Sequence, residues 1–344
     1  MPSGLTGAIP SLGPYYVASL QDNRWVLLRN PNYGGPRPRK SERIVYTLGV
    51  QTPTAVAQVA AGNVDYLPGD FAPYSMLTPG GTLDRRYGPT SHAARHGVQR
   101  YFLQPQPGVD AILFNARRAL FRDVRLRRAV NYALDRAALA AVWGEPPTDD
   151  YIPPAVTGIR QPHMYPIDGP DLRTARRLAQ GPRRRAVLYF CGDPANRTVA
   201  DIVRADLARI AISVSIVGGR EPCGSDARAA RADLLIGGFG SAERDPAPFV
   251  RQAVADRAFG VALGSGAWPS RSLRRRLART NELSGTARFA AYAQLDDVVM
   301  RAAPAAVYAS WVQPDYFSPR VGCKIYQAAY HFVDLGALCV PKSS

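Results

Sequence analysis

The sequence predicts an α/β fold with mixed sheets, arranged as two lobes. Three observations carry that expectation. In the second half of the chain, short apolar runs alternate with amphipathic stretches. Ala186–Cys191 is followed by a helical face of Val199, Ile202, Val203, Leu207 and Ile210, then by Ile212–Val217 and Leu234–Phe239. This β-α-β alternation argues for helices packed on a sheet. A chain of 344 residues is long enough to bury a sizeable core in two lobes. Residues 113–136, LFNARRALFRDVRLRRAVNYALDR, run from an apolar strand through a polar turn into an arginine-rich amphipathic helix.

Taken in order, Gly13–Val17 and Arg24–Asn30 read as a β-hairpin, with a tight turn over Asn30–Gly35. Ile44–Leu48 reads as a strand, Pro53–Ala61 as a helix, and Gly62–Tyr66 as the start of another strand. Residues 69–97 are rich in Gly, Pro and polar side chains and read as a loop-dominated crossing with one short helix. Val98–Leu103 and Ala111–Phe114 read as the first strands of the second lobe. Asp123 is placed to cap a helix. Its apolar stripe runs through Leu126, Val130, Ala133, Leu134, Ala137 and Ala141. Two later helices span about Ser270–Glu282 and Thr286–Ala302, the second ended by Pro304. Ala305–Val312 and the tail return to the first lobe. The expected division is therefore 1–97 in lobe I, 98–304 in lobe II and 305–344 back in lobe I.

Composition excludes several classes. The net charge is +16, from 43 basic and 27 acidic residues. The arginines are dispersed, apart from Arg183–Arg185 and Arg274–Arg276. With no basic stripe interleaved by aromatics, they read as solvated faces, and no nucleic-acid partner is expected. No run approaches the ~20 apolar residues of a membrane span. The opening MPSGLTGAIPSLGPYY lacks a basic-then-apolar export signal and a lipid-attachment cysteine. Four cysteines form no C-x-x-C pair. Their grouping suggests Cys191–Cys223 and Cys323–Cys339 bridges, each contributing ~2–4 kcal/mol; four buried thiols are the other reading. Of four histidines, His92 and His96 share a helix turn without an H-E-x-x-H partner, and no G-x-S-x-G or Gly-rich phosphate loop stands out. Neither an enzyme, a cofactor nor a metal-ligand cluster is expected.

The wording of several segments resembles family 5 extracellular solute-binding proteins, the dipeptide-, oligopeptide- and nickel-binding components of ABC importers. In 113–136, Asn115, Phe121, Asp123, Arg125, Arg127, Ala129, Ala133, Asp135 and Arg136 fit that family's signature, and Leu120 replaces its proline. Gly13-Pro14-Tyr15 with Val26–Tyr33, and the unit from Ile44 to Tyr66, match two further motifs in order. Asp149–Pro154 and Tyr165–Leu178 resemble family packing elements. Phe239–Phe249 resembles the family's ligand loop, "W-x-x-D-x-x-D-P-x-x-F".

The resemblance implies a type II periplasmic-binding-protein-like fold with solute held in the inter-lobe cleft. It implies ABC permease subunits as partners, a monomeric chain, and a place in the periplasm or on the extracellular face of the membrane, in some members as a lipoprotein. Phe239 takes the tryptophan position as an apolar wall, and Gly240 and Ser241 present backbone groups. Ala242 is a departure. Peptide binders carry an aspartate there for the ligand's α-amino group, and a buried ammonium without a counter-charge is costly. The adjacent Glu243 points elsewhere if the loop is regular, and otherwise replaces the missing charge. Asp245 reads either as a cap for the next helix or as a ligand contact. Arg127 and Asn115 are expected to tie loops together. A metal would enter only as a chelate. Family chains are longer before the Gly-Pro-Tyr motif, so the first lobe is expected to be incomplete, from a late reading-frame start. A ligand-sensing domain of a regulator and a truncated, non-functional product are the alternative readings.

Overall fold

A computed structural model describes residues 9, 11–69, 76, 80–156, 158–161, 163–192, 194–219, 227–253, 257–258, 261–262, 271–327 and 332–340. The chain forms two compact units. Unit 1 holds residues 1–104 and 313–344; unit 2 holds 105–312. Among the described residues, no helix is long and apolar enough to cross a membrane.

In unit 1, β1 (Tyr15–Gln21), β2 (Arg24–Arg29) and β3 (Arg43–Thr47) make an antiparallel sheet in that order. Asn30 closes the turn after β2, donating to the carbonyls of Ser11 and Gly13 and accepting from the Asn32 N–H. Helix α1 (Thr52–Ala60) starts with a proline in its first turn, where the missing N–H costs nothing, and buries Ala55, Val56 and Val59. β4 (Tyr66–Pro68) pairs with Asp315–Phe317. The crossing contains two short helices, α2 (Thr82–Tyr87) and α3 (His92–Arg95), rather than one. Ser91 caps the second through its side chain. The expected Cys323–Cys339 bridge is present, with Cα atoms 5.4 Å apart. Cys223, and with it the other expected pair, lies outside the described residues.

Val98–Leu103 and Ala111–Phe114 are not separate strands. One strand, β5 (Tyr101–Phe114), runs through both, and Val98 is exposed ahead of it. Pro105 and Pro107 within it lie beyond the end of β5's ladder with β8 (Leu234–Gly240), which starts at Gly108. Their carbonyls accept from Arg244 and from the Ser241 N–H. The boundary between units falls inside β5, and inside β11 (Ala305–Phe317) on the return.

The helix expected from Asp123 to Ala141 is two helices. α5 (Val124–Ala133) ends where Leu134 turns extended, and α6 (Arg136–Trp143) begins afresh with Asp135 as its cap. Asp123 caps α5 as expected, accepting the Arg125 N–H at 2.8 Å. The break resets the helical phase. Leu126, Val130, Ala133 and Leu134 are buried, but Ala137 and Ala141 face solvent and Leu139 and Ala140 take their place.

The rest of unit 2 follows the expected alternation. α4 (Ala119–Arg122) precedes α5, and α7 (Leu172–Leu178) leads to β6 (Arg184–Cys191), α8 (Pro194–Ala208) and β7 (Ile212–Gly219). α9 (Ala227–Arg231) precedes β8, and α10 (Pro246–Ala253) follows it. Next come the short strands β9 (Arg257–Ala258) and β10 (Val261–Ala262), then α11 (Arg271–Asn281) and α12 (Gly285–Ala302). The sheet order is β11-β5-β8-β6-β7. β6 is parallel to β7 and β8, while β5 is antiparallel to β8, so the sheet is mixed. Alternation along the strands sends side chains to two cores. Ile112, Phe114, Leu188 and Leu234 pack with α5, α6 and α8. Ala111, Leu113, Leu235 and Val307 pack with Phe249 of α10 and with Tyr292, Leu295 and Val299 of α12. In the unit 1 tail, β12 (Tyr326–Gln327) pairs with β13 (Phe332–Val333).

Candidate functional site

The candidate ligand segment leaves the sheet at the C-terminal end of β8. Phe239 and Gly240 are its last residues, and Ser241–Asp245 form the loop into α10. Phe239 is half-buried and stacks on the fully buried Tyr151, with centroids 5.8 Å apart and planes at 24°. Tyr151 is itself fixed, because its hydroxyl donates to the Ala305 carbonyl and accepts the Ala305 N–H. The apolar wall is therefore rigid.

The backbone of the loop is largely engaged within the unit. The Ser241 N–H donates to the Pro107 carbonyl at 3.0 Å, and the Gly240 carbonyl accepts from Gln252 at 2.9 Å. Ser241 Oγ accepts the Glu243 N–H, a local turn that leaves the Glu243 side chain exposed. Asp245 caps α10 through the Ala247 N–H at 2.8 Å. It also holds Arg288 with both carboxylate oxygens, at 2.8 and 3.0 Å to Nη2. Partial burial opposes its charge, but Arg288 and the Ala247 N–H outweigh that and keep its carboxyl below the ordinary range. The cap reading of Asp245 thus has an ion pair added to it.

The opposite face of the same strand end carries groups that the motif did not point to. Gly108 faces Gly240 across the ladder, and Asp110 faces Gly238. A Cβ on Gly108 or Gly240 would fall 1.9 or 2.6 Å from the Trp311 ring. Both positions need glycine because the indole lies directly on the backbone. Trp311 Nε1 donates to Asp110 Oδ1 at 2.9 Å, which ties the ring to β5. Glu145, from the turn after α6, hydrogen-bonds to Asp110, and its Oε2 is buried without a partner. Burial raises both carboxyls; the field and hydrogen bond of Asp110 raise Glu145 further, while the hydrogen bonds from Trp311 and Glu145 hold Asp110 lower. The pair therefore keeps a shared proton at neutral pH, with one negative charge between two carboxyls. Trp311, Asp110 and Glu145 are all partly exposed, so this is an aromatic shelf with an acidic edge.

The signature residues lie elsewhere and act as ties. Asn115 Nδ2 donates to the carbonyls of Ala230 and Ala232. Arg127 donates to the carbonyls of Phe121, Arg122, Ala302 and Ala303. Arg136, fully buried, donates to the carbonyls of Val307, Asn131 and Pro166 and to Asn131 Oδ1. Burial lowers its pKa to about 10, opposed by the field of Asp149, so it stays charged. Asp149 and Asp150, expected as part of a packing loop, sit buried within 3.2 Å of His163 Nδ1. His92 and His96 stack with centroids 4.0 Å apart on α3, and no third ligand joins them among the described residues.

Comparison with known proteins agrees with these motifs. The profile of bacterial extracellular solute-binding proteins, family 5 middle, matches residues 2–260, and the chain belongs to that family. No curated protein sequence matches it. Solved structures share the fold. HbpA2 from Haemophilus parasuis superposes with a TM-score of 0.75 at 18% identity, covering 96% of this chain and 64% of that one. NikA from Brucella suis in complex with Fe(III)-EDTA gives 0.71 at 21%, covering 96% and 68%. DppA from Helicobacter pylori in complex with peptide STSA gives 0.64 at 16%, covering 96% and 63%. The chain thus spans about two thirds of the length of these proteins.

Proposed function

We propose that this family 5 chain captures a small solute outside the cytoplasmic membrane and hands it to ABC permease subunits, without catalysing a reaction and as a monomer. The end of β8 contributes to the solute site, with Phe239 and the 240–245 loop on one face and the Trp311 shelf on the other. One observation carries this reading. Trp311 is laid on two glycines and locked by Asp110, and it keeps a partly exposed ring beside an unpartnered carboxyl oxygen. Rigid aromatic surfaces with a few placed polar groups are what a ligand site needs.

The chemistry favours a solute with a planar or apolar part and a cationic or donor group. Ala242 offers no carboxylate for an ammonium. The Asp110–Glu145 pair carries a negative charge nearby, on the other face of the same strand end. Peptide-like solutes with a basic side chain and chelates with amine groups both meet that description. DppA and NikA, with their peptide and Fe(III)-EDTA ligands, indicate how broad the family's range is.

The test is a titration of intrinsic fluorescence of the full chain with free dipeptides, N-acetylated dipeptides, diamines and metal chelates. Binding by cationic members, weakened about tenfold or more in Trp311→Ala with little change in melting temperature, is the expected result. Undiminished affinity in Trp311→Ala would remove the shelf from the site. Silence of a well-folded protein across the panel would count against solute capture itself.

A further inference from the structure

The loop between α6 and α7 brings two carboxylates and an imidazole to one point. Asp149 and Asp150 lie at its base, 1% and 0% exposed, while His163 reaches in from a half-exposed position. Each carboxylate is anchored through one oxygen and turns the other to the ring. Asp149 Oδ2 accepts the Tyr165 N–H at 2.6 Å, and Oδ1 is 3.1 Å from His163 Nδ1. Asp150 Oδ1 accepts the His163 N–H at 3.3 Å, and Oδ2 is 3.2 Å from the same Nδ1. The Gln161 amide, turned so that its NH2 faces inward, steadies Asp150 Oδ2 at 2.8 Å. A single ring N–H can point squarely at only one of the two carboxylate oxygens.

These separations are those of ligands around a small cation. With bonds of ~2.0–2.2 Å, adjacent ligand atoms lie roughly 3.0–3.5 Å apart. The anchoring of each carboxylate's second oxygen by a backbone N–H is the outer-shell support that metal sites use.

A second, independent feature points the same way. Asp296 of α12 is fully buried, and neither carboxyl oxygen makes a hydrogen bond of ordinary geometry, although the Ile152 N–H lies close enough to favour its charged form. It lies in the field of Asp150 and Asp149. Three buried carboxyls therefore share one region. The nearby Arg136 directs its hydrogen bonds to carbonyls and to Asn131, with none to a carboxylate. A cation bound at the loop would favour the ionised forms of these carboxyls.

We propose that Asp149 Oδ1, Asp150 Oδ2 and His163 Nδ1 bind one first-row divalent ion, with zinc(II) as the best fit, and that the ion joins His163 to the Asp149–Asp150 base of the loop. One nitrogen and two carboxylate oxygens suit zinc; calcium prefers six to eight oxygens. The half-exposed face of His163 leaves room for a water as a further ligand. This site is separate from the solute-binding reading and stands or falls without it.

The test uses the full chain, stripped with a chelator and dialysed against zinc(II) alone, with bound metal measured by elemental analysis. One zinc per chain is expected, together with a rise in melting temperature. His163→Ala should weaken zinc binding by at least about tenfold. Because His163 is half-exposed, that variant should keep its circular dichroism. The His92→Ala/His96→Ala double variant should keep the zinc. No uptake by folded wild-type protein would overturn the proposal, as would full stoichiometry and affinity in His163→Ala. Loss of the ion in the double variant alone would place it at the stacked pair on α3 and equally overturn it.

Discussion

Arg136 and the Asp110–Glu145 pair are both desolvated charged groups of unit 2, and they are treated in opposite ways. Arg136 is enclosed completely, and its guanidinium is matched by three carbonyls and an amide oxygen. Its surroundings leave nothing for a ligand. Asp110 and Glu145 sit at the strand end, share a proton, and leave Oε2 of Glu145 without a partner. The first is scaffolding and the second is a site in waiting. The difference teaches that a motif residue's prominence in sequence says little about whether it touches solute. Arg127 and Arg136 carry the family signature, yet both hold carbonyls of neighbouring segments together. Arg136 joins α5, β11 and the segment before α7, so its loss acts on all three.

This contrast can be broken most forcefully at Arg136. Arg136→Ala leaves the carbonyls of Val307, Asn131 and Pro166 buried without their donor. A loss of roughly 3–5 kcal/mol in urea unfolding is expected, as for breaking a buried charged network. A loss below about 1 kcal/mol would show that the guanidinium is not structural.

A smaller effect is expected at the shelf. Gly108→Ala places a methyl against the Trp311 ring, and overpacking of this kind costs about 1–3 kcal/mol. The distinguishing result is a changed Trp311 environment in near-ultraviolet circular dichroism, together with weaker solute binding than the stability loss explains. An unaltered spectrum would mean the indole is not held where the glycines place it.

The smallest effect sharpens the other half of the contrast. Both carboxyls of the Asp110–Glu145 pair are raised above their unfolded values of 3.8 and 4.5. A raised carboxyl favours the folded state while protonated in both states. That advantage is lost progressively as pH rises from the unfolded value toward the folded one. Glu145→Gln keeps a donor toward Asp110 and removes one titrating group. It should therefore gain stability over wild type progressively as pH rises above the unfolded Glu value of 4.5. At pH 3 the two proteins should melt alike. A difference that is constant across this range would separate the effect from the shared proton.

The sequence made the local elements legible. The hairpin β1–β2, the cap at Asp123, the β6-α8-β7 unit and helix α12 all follow from periodicity and capping within a few residues. Reading failed where a neighbour overrode the local pattern. Val98–Leu103 and Ala111–Phe114 read as two strands, yet one strand passes through both, with its β8 ladder starting at Gly108. The stripe from Leu126 to Ala141 suggested one helix, and the chain breaks at Leu134. Within the candidate site, Phe239–Asp245 was legible as a motif. Trp311 was not, because nothing near it in sequence resembles Asp110, its partner 201 positions away. The glycines of β8 were the available signal, since closely spaced glycines in a strand imply a close approach by another group.

By itself, then, the sequence determined the order and type of most elements, the mixed α/β class, the family and the loop that leaves β8. These depend on backbone conformation, hydrophobic period and residue wording, all of which act over short spans. Tertiary structure alone decided which charges are enclosed and which are left open. Sheet order brings β5 beside β8 and sets Trp311 on their glycines, and the turn after α6 delivers Glu145 to Asp110. The loop after it delivers His163 to Asp149 and Asp150. Burial, shared protons and unmet hydrogen bonds arise only when distant segments meet, because desolvation belongs to a packed place in the fold and to no residue in isolation.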